Sequence, residues 1–308
     1  MTSDVVERPM VAAGGAARSA GAGRAGITIT GLTKRYGNVV GLDGLDLALP
    51  PGGIVGLMGD NGAGKTTLLK ILAGVLADWT GTVDVFGDRI GPATKAITSF
   101  LPDVDFLPDR YQVEDAISLY ADFFADFDRA RAAALIAGFD LPRDRGLKEY
   151  SKGMREKLQI ALTMARQARL YLLDEPISGV DPASRSIIME NILANYESDA
   201  LLIMSTHLIA DIEPVVDHVV FLRAGRVMLQ GQADDLRESY GTSIDKLFRQ
   251  EYRQALPQVG RRSAGPSDGR PHVDDPWTDS GVVPRGPEPT TVELTRKDPR
   301  DVRETVQA

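Results

Sequence analysis

The 308-residue sequence contains no cysteine and only three histidines. Disulfide bonds, thiolate metal sites and cysteine nucleophiles are therefore excluded. The histidines, His207, His218 and His272, are too scattered along the chain to predict a metal cluster. No apolar run approaches the roughly 20 residues of a membrane span, and the N-terminus lacks the compact apolar stretch of a signal peptide. These absences favour a cytoplasmic protein that meets a membrane only through a partner.

A surplus of basic residues is missing as well. The net charge is −8, whereas proteins dedicated to binding nucleic acids usually carry a basic surplus. A local basic patch stays compatible with this charge. The hydrophobic fraction of 43% and the charged fraction of 25% are ordinary for a soluble globular protein. We therefore expect a globular protein with no nucleic-acid partner.

The two ends of the chain differ from its middle. Residues 1–26 are rich in Ala and Gly, and residues 251–308 are rich in Pro, Gly and charged side chains, most clearly after Pro257. Such segments bury too little apolar surface to offset their ordering entropy, so we expect disorder in both. The middle, residues 27–250, shows no internal repeat and is predicted to be one folded domain.

Within this domain, short apolar runs alternate with helical patterns. Strands are predicted at 27–32, 45–49, 54–58, 82–86, 170–174, 201–205 and 219–223, and helices begin near Lys65, Val113, Arg129, Lys152, Ala183 and Ile209. The runs LYLLD and LLIMS are apolar without alternation, which is typical of strands covered on both faces. The pattern therefore predicts an α/β fold with a mostly parallel sheet.

One glycine-rich loop has the spacing of a phosphate-binding loop. GDNGAGKT, residues 59–66, fits G-x-x-x-x-G-K-[ST] between a predicted strand and a predicted helix. Glycines let consecutive backbone N–H groups reach a phosphate, and the helix directs its positive dipole end at the same anion. Lys65 is expected to reach the β- and γ-phosphates and Thr66 to ligate Mg²⁺. The predicted nucleotide-binding residues of this segment are Gly59, Asn61, Gly62, Gly64, Lys65, Thr66 and Thr67.

Two carboxylates end a second apolar strand. LYLLDEP, residues 170–176, places Asp174 where an aspartate would hold Mg²⁺ and Glu175 where a base would activate the attacking water. A simple acidic cap at the strand end is the structural alternative. Together with the phosphate loop, the pair predicts ATP hydrolysis with Mg²⁺, in which Lys65 and Glu175 are catalytic.

Several further motifs occur in the order found in the ATP-binding subunit of ABC transporters, which the sequence resembles over residues 27–250. These motifs are Tyr36 in LTKRYG, YSKGMREKLQIALTMAR (150–166), SGVD (178–181) and STH (205–207). The resemblance implies a P-loop NTPase core with an antiparallel β subdomain and an inserted helical subdomain at about 104–165. It also implies that Tyr36 stacks on adenine, that Ser151, Gly153 and Asp181 contact nucleotide, and that His207 contacts the γ-phosphate as a catalytic switch.

Three of these roles have a structural alternative. Tyr36 could be a plain aromatic at a strand end, and His207 could be a buried structural histidine. Asp181 precedes a proline and a predicted helix, so it could cap that helix, and we expect it to do both.

Two motifs depart from the usual pattern of the family. The signature reads Tyr150-Ser151-Lys152-Gly153-Met154 rather than LSGGQ, a variant that resembles a branch found with bacterial exporters of lantibiotic or drug-resistance type. Leu101-Pro102-Asp103 stands where the family has LPQ. Because a carboxylate can bind Mg²⁺, we hypothesise that Asp103 keeps a metal-sensing role, with slower turnover.

The resemblance implies partners that this chain lacks. In the family, two ATPase chains pair head to tail, and each signature closes the ATP site of the other copy. We therefore predict a second ATPase chain, identical or paralogous, and an integral membrane permease that holds the protein at the inner face of the cell membrane. The segment 103–117, with Phe106, Leu107 and Tyr111, either docks to that permease or packs in the core. The alternatives are a soluble ABC-type ATPase acting on ribosomes or nucleic acid, and a regulatory module with little turnover.

Overall fold

The structure is a computed structural model, and it describes residues 25–197 and 199–254. Six strands form the central sheet: β3 (Gly53–Met58), β6 (Thr98–Leu101), β7 (Leu170–Asp174), β8 (Leu201–Thr206), β9 (His218–Arg223) and β10 (Arg226–Gln232). Their order across the sheet is β10-β9-β3-β8-β7-β6. All neighbouring pairs are parallel except β9 and β10. The carboxyl ends of β3, β7 and β8 therefore meet at one edge.

Both faces of this sheet are buried, as its unalternating apolar runs predict. Successive side chains of a strand point to opposite faces. In β3, Ile54 and Met58 contribute to one hydrophobic core, whereas Val55 and Leu57 contribute to the other. The sheet is thus held rigidly between two cores, and the loops at its edge start from fixed positions.

A second sheet covers one of these faces. It contains β1 (Ile27–Tyr36), β2 (Val39–Leu49), β4 (Thr80–Val85) and β5 (Asp88–Arg89) in the order β2-β1-β4-β5, and every pair is antiparallel. Helix α1 (Lys65–Leu72) follows β3, and its residues Leu68 and Leu69 are buried in the core shared with this sheet.

Helices cover the other face. After α2 (Pro92–Ala96), the segment between β6 and β7 contains α3 (Val113–Phe123), α4 (Arg129–Gly138) and α5 (Lys152–Met164). Side chains cap two of them: Asp128 accepts hydrogen bonds at the start of α4, and Ser151 does so at the start of α5. Such caps satisfy the free N–H groups of a first helical turn, which fixes where each helix begins.

Four more helices complete the described chain: α6 (Pro182–Ala194), α7 (Ile209–Ile212), α8 (Ala233–Tyr240) and α9 (Ile244–Gln254). Helix α9 corrects the predicted start of disorder at residue 251, because it continues to Gln254. Its apolar side chains at 244, 247, 248 and 252 follow helical spacing, and Ile244 and Leu247 are fully buried.

The predicted fold class is confirmed: this is an α/β P-loop NTPase fold with one mostly parallel and one antiparallel sheet. Each of the seven predicted strands lies within an observed one or overlaps it. Within the described residues, three strands and three α-helices were not predicted, namely β5, β6, β10, α2, α8 and α9. Most of the extensions predicted at 1–26 and 251–308 lies outside the described residues.

Candidate functional site

The phosphate loop, residues 59–66, joins the end of β3 to α1. Gly62 and Gly64 have positive φ angles of 81° and 108°, which glycine adopts without strain. A β-carbon on Gly64 would also lie 2.6 Å from the backbone oxygen of Gly41. Glycine is thus required at 64 by both conformation and space. The loop leaves the first N–H groups of α1 available to an anion.

Lys65 lies almost fully inside the loop, with 6% of its surface exposed. Its Nζ donates to the backbone oxygen of Gly59 at 2.8 Å and lies 3.2 Å from Oε1 of Glu175. A buried charge is stable only when it is paired and hydrogen-bonded. The loop lysine and the strand-end glutamate therefore hold each other.

Asp174, at the end of β7, is 1% exposed. Its Oδ1 accepts a hydrogen bond of 2.6 Å from the hydroxyl of Ser205 on β8. Its Oδ2 is buried and has no hydrogen-bond partner among the residues that the structure describes. Because buried polar atoms are almost always satisfied, this oxygen is suited to a cation or to water on a cation.

Glu175 has an unusual backbone conformation. Its φ angle is +51°, in the left-handed region that a residue with a side chain adopts only at a cost. Its backbone N–H donates to the Ser205 hydroxyl at 3.0 Å, and its Oε2 lies 2.9 Å from Nδ1 of His207. The glutamate is thus fixed between Lys65 and His207. The side chain of His207 is 45% exposed, so the alternative of a buried structural histidine is wrong.

A cavity of 510 Å³, here named the phosphate-loop cavity, opens beside these groups. It brings together ten of the predicted site residues: Tyr36, Asn61, Gly62, Gly64, Lys65, Thr66, Thr67, Asp103, Glu175 and His207. The rest of the lining includes Val39, Val40, Gly41, Asp60, Ala63 and Ser178, which the sequence motifs did not single out as site residues. Gly59 contributes the backbone oxygen that accepts from Lys65.

Tyr36 stands at the end of β1 and borders this cavity with 45% of its surface exposed. Its hydroxyl lies 3.4 Å from that of Thr67, and Nζ of Lys34 lies 5.2 Å from the centre of its ring. An exposed aromatic face at the mouth of a phosphate-binding cavity can stack on a base.

A smaller cavity of 100 Å³, the carboxylate cavity, adjoins the first and shares Asp103, Glu175 and Ser178 with it. Asp174 and Glu156 also line it, and Lys152 contributes a positive charge. Burial raises the pKa of the Asp103 carboxyl, and repulsion from Asp174 and Glu175 adds to that increase. Burial likewise raises the pKa of Glu156.

The remaining predicted site residues lie elsewhere. Ser151, Gly153 and Asp181 are all within the described chain, and none of them lines the phosphate-loop cavity. Ser151 is exposed and its hydroxyl accepts a hydrogen bond from the Met154 N–H at 3.3 Å. Asp181 caps α6 by accepting from the Ser184 N–H at 3.0 Å, so the expected capping role is observed.

Comparisons with known proteins agree with this geometry. Residues 42–178 match the family described as ABC transporter. The daunorubicin resistance ATP-binding protein DrrA3 of Streptomyces coeruleorubidus is 32% identical over 234 residues, which cover 73% of this chain and 74% of that protein. The chain belongs to the ATP-binding proteins of ABC transporters. It is accordingly a nucleotide-binding protein and an ATPase.

Other relatives of this ABC ATPase have similar names. The daunorubicin/doxorubicin resistance ATP-binding protein DrrA of Streptomyces peucetius is 33% identical, covering 72% of this chain and 69% of that protein. The Nod factor export ATP-binding protein I of Cupriavidus metallidurans is 28% identical, covering 71% and 75%. A solved ATP-binding subunit of an ABC transporter superimposes with a TM-score of 0.66 at 28% identity, covering 73% of this chain and 99% of its own.

Ser205 is a site residue of the ABC ATPase that the sequence motifs did not identify. Its hydroxyl joins Asp174 to the backbone of Glu175. The one sequence signal for it is its position at the end of an apolar strand, two residues before His207.

The candidate docking residues differ in exposure. Leu107 is 4% exposed and belongs to the core, whereas Phe106 is 36% exposed. Within the described residues, no helix has the length and apolar character of a membrane span.

Proposed function

We propose that this ABC ATPase powers an exporter by binding ATP in the phosphate-loop cavity and hydrolysing it with Glu175 as general base. One observation carries the proposal. The Glu175 carboxylate is fixed between Lys65 and His207, beside an Asp174 oxygen that lacks a partner in the described chain. This arrangement supports a site in which Glu175 would act as the base, with two cationic or polar groups and a candidate cation ligand beside it.

Binding of ATP would begin with an exchange of partners at Lys65. The lysine now pairs with Glu175, and the β- and γ-phosphates offer it a denser negative charge. As Lys65 turns to the phosphates, Glu175 loses its cation and becomes free to accept a proton from water. The base would therefore be activated only when nucleotide is present.

Thr66, Asp174 and Asp103 are the residues that would hold Mg²⁺. The buried, unpartnered Oδ2 of Asp174 is the observation that fits a metal here. When bound, Mg²⁺ would neutralise charge that develops on the transferred phosphoryl group. Asp103 borders both cavities, where it could sense the metal in place of the glutamine that the family carries.

Glu175 and His207 would share the chemical step. Glu175 would orient the attacking water and take its proton, while His207, 2.9 Å from the glutamate, would hold the carboxylate in place and contact the γ-phosphate. The hydrogen bonds from Ser205 to Asp174 and from the Glu175 N–H to Ser205 hold the Asp174 carboxylate and the Glu175 backbone in fixed positions. An intact base argues against a regulatory module with little turnover.

Ser151 and Gly153 would complete the ATP site of a second chain. Their helix start is exposed and lies outside the cavity of its own chain, which suits a head-to-tail dimer. ATP bound between the chains would favour the closed dimer, and hydrolysis would release it. Asp181 would approach nucleotide from the same side while it caps α6.

Export through an integral membrane permease is the function that the relatives favour. The three relatives described above are named for drug resistance or Nod factor export. Dimer closure would move the docked permease, and docking would place this chain at the inner face of the cell membrane. Exposed Val104 and Phe106, next to Asp103, are candidates for that contact.

A pull-down tests the proposal. Tagged Glu175→Gln protein, which should retain ATP, is recovered from detergent-solubilised membranes of its own cells with Mg-ATP, and Lys65→Ala protein serves as the control. We expect a multi-span membrane protein to co-purify with the Glu175→Gln protein. Recovery of ribosomal or DNA-bound proteins without a membrane partner would refute the exporter assignment.

The role of Asp103 is tested separately. If it senses Mg²⁺, Asp103→Gln should change the Mg²⁺ concentration that supports half-maximal ATPase activity and should raise the turnover rate. Unchanged values of both would rule out the metal-sensing role.

A further inference from the structure

Helix α9 is attached near its start to the segment that follows α7 and near its end to the phosphate loop. At its start, the Glu213 carboxylate accepts hydrogen bonds from the backbone N–H groups of Ile244 at 2.8 Å and Asp245 at 3.3 Å. Glu213 directly follows α7, the short helix that comes after His207. The beginning of α9 is therefore fixed to the segment that carries the switch histidine.

Near its other end, α9 reaches the phosphate loop through Tyr252. The Tyr252 hydroxyl accepts a hydrogen bond of 3.0 Å from the Asp60 N–H and donates one of 2.8 Å to the backbone oxygen of Leu222 on β9. Its ring lies 4.3 Å, centre to centre, from that of Phe248. Arg223 donates to the Tyr252 backbone oxygen at 3.2 Å. Both capacities of the hydroxyl are used, so its position is specified.

Asp60 in turn contacts Lys65. The backbone oxygen of Asp60 accepts from the Ala63 N–H at 3.1 Å and from Nζ of Lys65 at 3.4 Å. Tyr252 thus fixes the backbone N–H of Asp60, and the backbone oxygen of Asp60 helps to hold the phosphate-binding lysine. The Tyr252 hydroxyl is bonded to backbone groups and does not line the phosphate-loop cavity, so we expect any effect on ATP to pass through the loop.

We propose that α9 is a strut between the switch segment and the phosphate loop, and that Tyr252 is a positioning residue for ATP binding. This inference rests on the proposed use of the phosphate-loop cavity for ATP. The loop must present its N–H groups to phosphate in one conformation, and the Tyr252 hydroxyl fixes the Asp60 peptide in that conformation. Glu213 helps to set where α9 begins, together with the Ser243 hydroxyl that accepts from the Lys246 N–H at 3.3 Å, and so contributes to where Tyr252 lies.

The first experiment compares Tyr252→Phe with Tyr240→Phe in the full chain. The first change keeps the ring that packs on Phe248 and removes only the hydroxyl; the second removes a hydroxyl from half-exposed Tyr240 on α8. Displacement of a fluorescent nucleotide by ATP gives the affinity, and steady-state ATPase assays give kcat and KM. We expect Tyr252→Phe to weaken ATP binding roughly three- to tenfold, the net value of the single bond to the Asp60 N–H, with kcat changed less than about twofold. Tyr240→Phe should match the unaltered protein.

The second experiment tests the strut itself. Glu213→Gln keeps the size of the side chain but leaves one backbone N–H of α9 without its acceptor. We expect weaker ATP binding here too, although Glu213 does not line the cavity. If both residues act through α9, the double variant should lose less affinity than the product of the two single losses.

Three results would overturn the inference: unchanged ATP affinity in Tyr252→Phe, unchanged affinity in Glu213→Gln, or losses that multiply independently in the double variant. Failure of the unaltered protein to bind ATP would overturn the proposed use of the cavity as well. Normal binding by both the unaltered and the Tyr252→Phe proteins would overturn only the strut.

Discussion

The phosphate loop, residues 59–66, is predicted to bind nucleotide in the site of its own chain, whereas the signature helix start, residues 151–153, is predicted to bind it in the site of a second chain, and the two regions are built differently. At the loop, the charged groups are buried and paired: Lys65 and Glu175 have side chains that are 6% and 10% exposed and lie 3.2 Å apart. At the helix start, Ser151 is exposed and the Lys152 side chain is 81% exposed. One region is completed within the chain, and the other faces outward.

This difference shows which part of the site the chain can preorganise alone. Buried charges need fixed partners, and the sheet edge supplies them from β7, β8 and the loop. Ser151 accepts a bond of 3.3 Å from its own helix, so its oxygen is positioned but not enclosed. A second copy, presenting its own residues 151–153, would supply what the loop side lacks.

Among the variants that test this comparison, Glu175→Gln has the largest expected effect. Glutamine cannot take a proton from water, so kcat should fall by roughly 10² to 10⁴ while ATP binding persists. The ATP-bound protein should then accumulate as a closed dimer, which size-exclusion chromatography with excess Mg-ATP would detect. Glu197→Gln, on the half-exposed partner of Arg131, is a control and should keep normal turnover. A monomeric Glu175→Gln protein would contradict the two-chain site.

Mixing two inactive variants tests the comparison more sharply. Lys65→Ala should disable the loop side and Ser151→Ala the signature side. In a mixed dimer, one site combines an intact loop with an intact signature, so equal mixing should recover up to about a quarter of the normal ATPase rate. No recovery above the separate rates would place both motifs in one chain's site.

Because Ser151 also caps α5, the Ser151→Ala variant in that mixture needs a control for lost stability. Loss of an N-cap costs about 1 kcal/mol in stability, whatever the function of the residue. Asp128→Ala removes the matching cap of α4, where Asp128 accepts from the Ala130 and Arg131 N–H groups. Asp128→Ala protein should lose similar stability and keep its ATPase activity.

The loop side was largely predictable from the sequence because its signals are local. The phosphate loop is one contiguous motif, and Asp174 and Glu175 are consecutive at the end of an apolar strand. Parallel strands bring their carboxyl ends to one edge of the sheet, so such residues meet. The positive φ of Glu175 has no such local signal, since it depends on the bonds that Ser205 and the edge of β8 supply.

What could not be predicted depends on contacts distant in sequence. Ser205 lies beside Asp174 because β7 and β8 pair in that register, which only the folded sheet determines. Tyr252 meets Asp60 across 192 residues. Helix α9 was not predicted at all, and even its amphipathic spacing would not have indicated which loop its last turn reaches.

A smaller loss is expected when Tyr36 is replaced. Variants at this residue test adenine recognition separately from phosphate binding by the loop. Tyr36→Ala removes the exposed ring at the cavity mouth and should weaken ATP binding by about tenfold, in the range measured for base stacking. Tyr36→Phe keeps the ring and loses only the 3.4 Å contact with Thr67, so it should bind almost normally. Equal affinities for the Ala and Phe variants would show that Tyr36 is a plain strand-end aromatic.

The smallest effect is expected at Asp103, which lies where the two regions approach each other. Burial raises the pKa of Asp103, and Asp174 and Glu175 on the loop side raise it further, whereas Lys152 on the signature side and Lys65 in the loop lower it. Because the folded-state pKa exceeds the ordinary value of 3.8, folding is opposed by ionisation of Asp103. The penalty is absent below that value, grows as the pH rises from it towards the folded-state pKa, and is constant above the folded-state pKa.

Asp103→Asn should therefore raise the thermal midpoint at pH 7 by no more than about 2 °C, since the carboxyl is exposed enough for solvent to screen it. The gain should disappear as the pH falls below the ordinary aspartate range, where the wild-type carboxyl is already neutral. Calorimetric scans of both proteins at several pH values, without nucleotide or metal, would measure this. A gain of the same size at acid and neutral pH would mean that repulsion among the three carboxylates is not its source, and that the loop side tolerates Asp103 at no electrostatic cost.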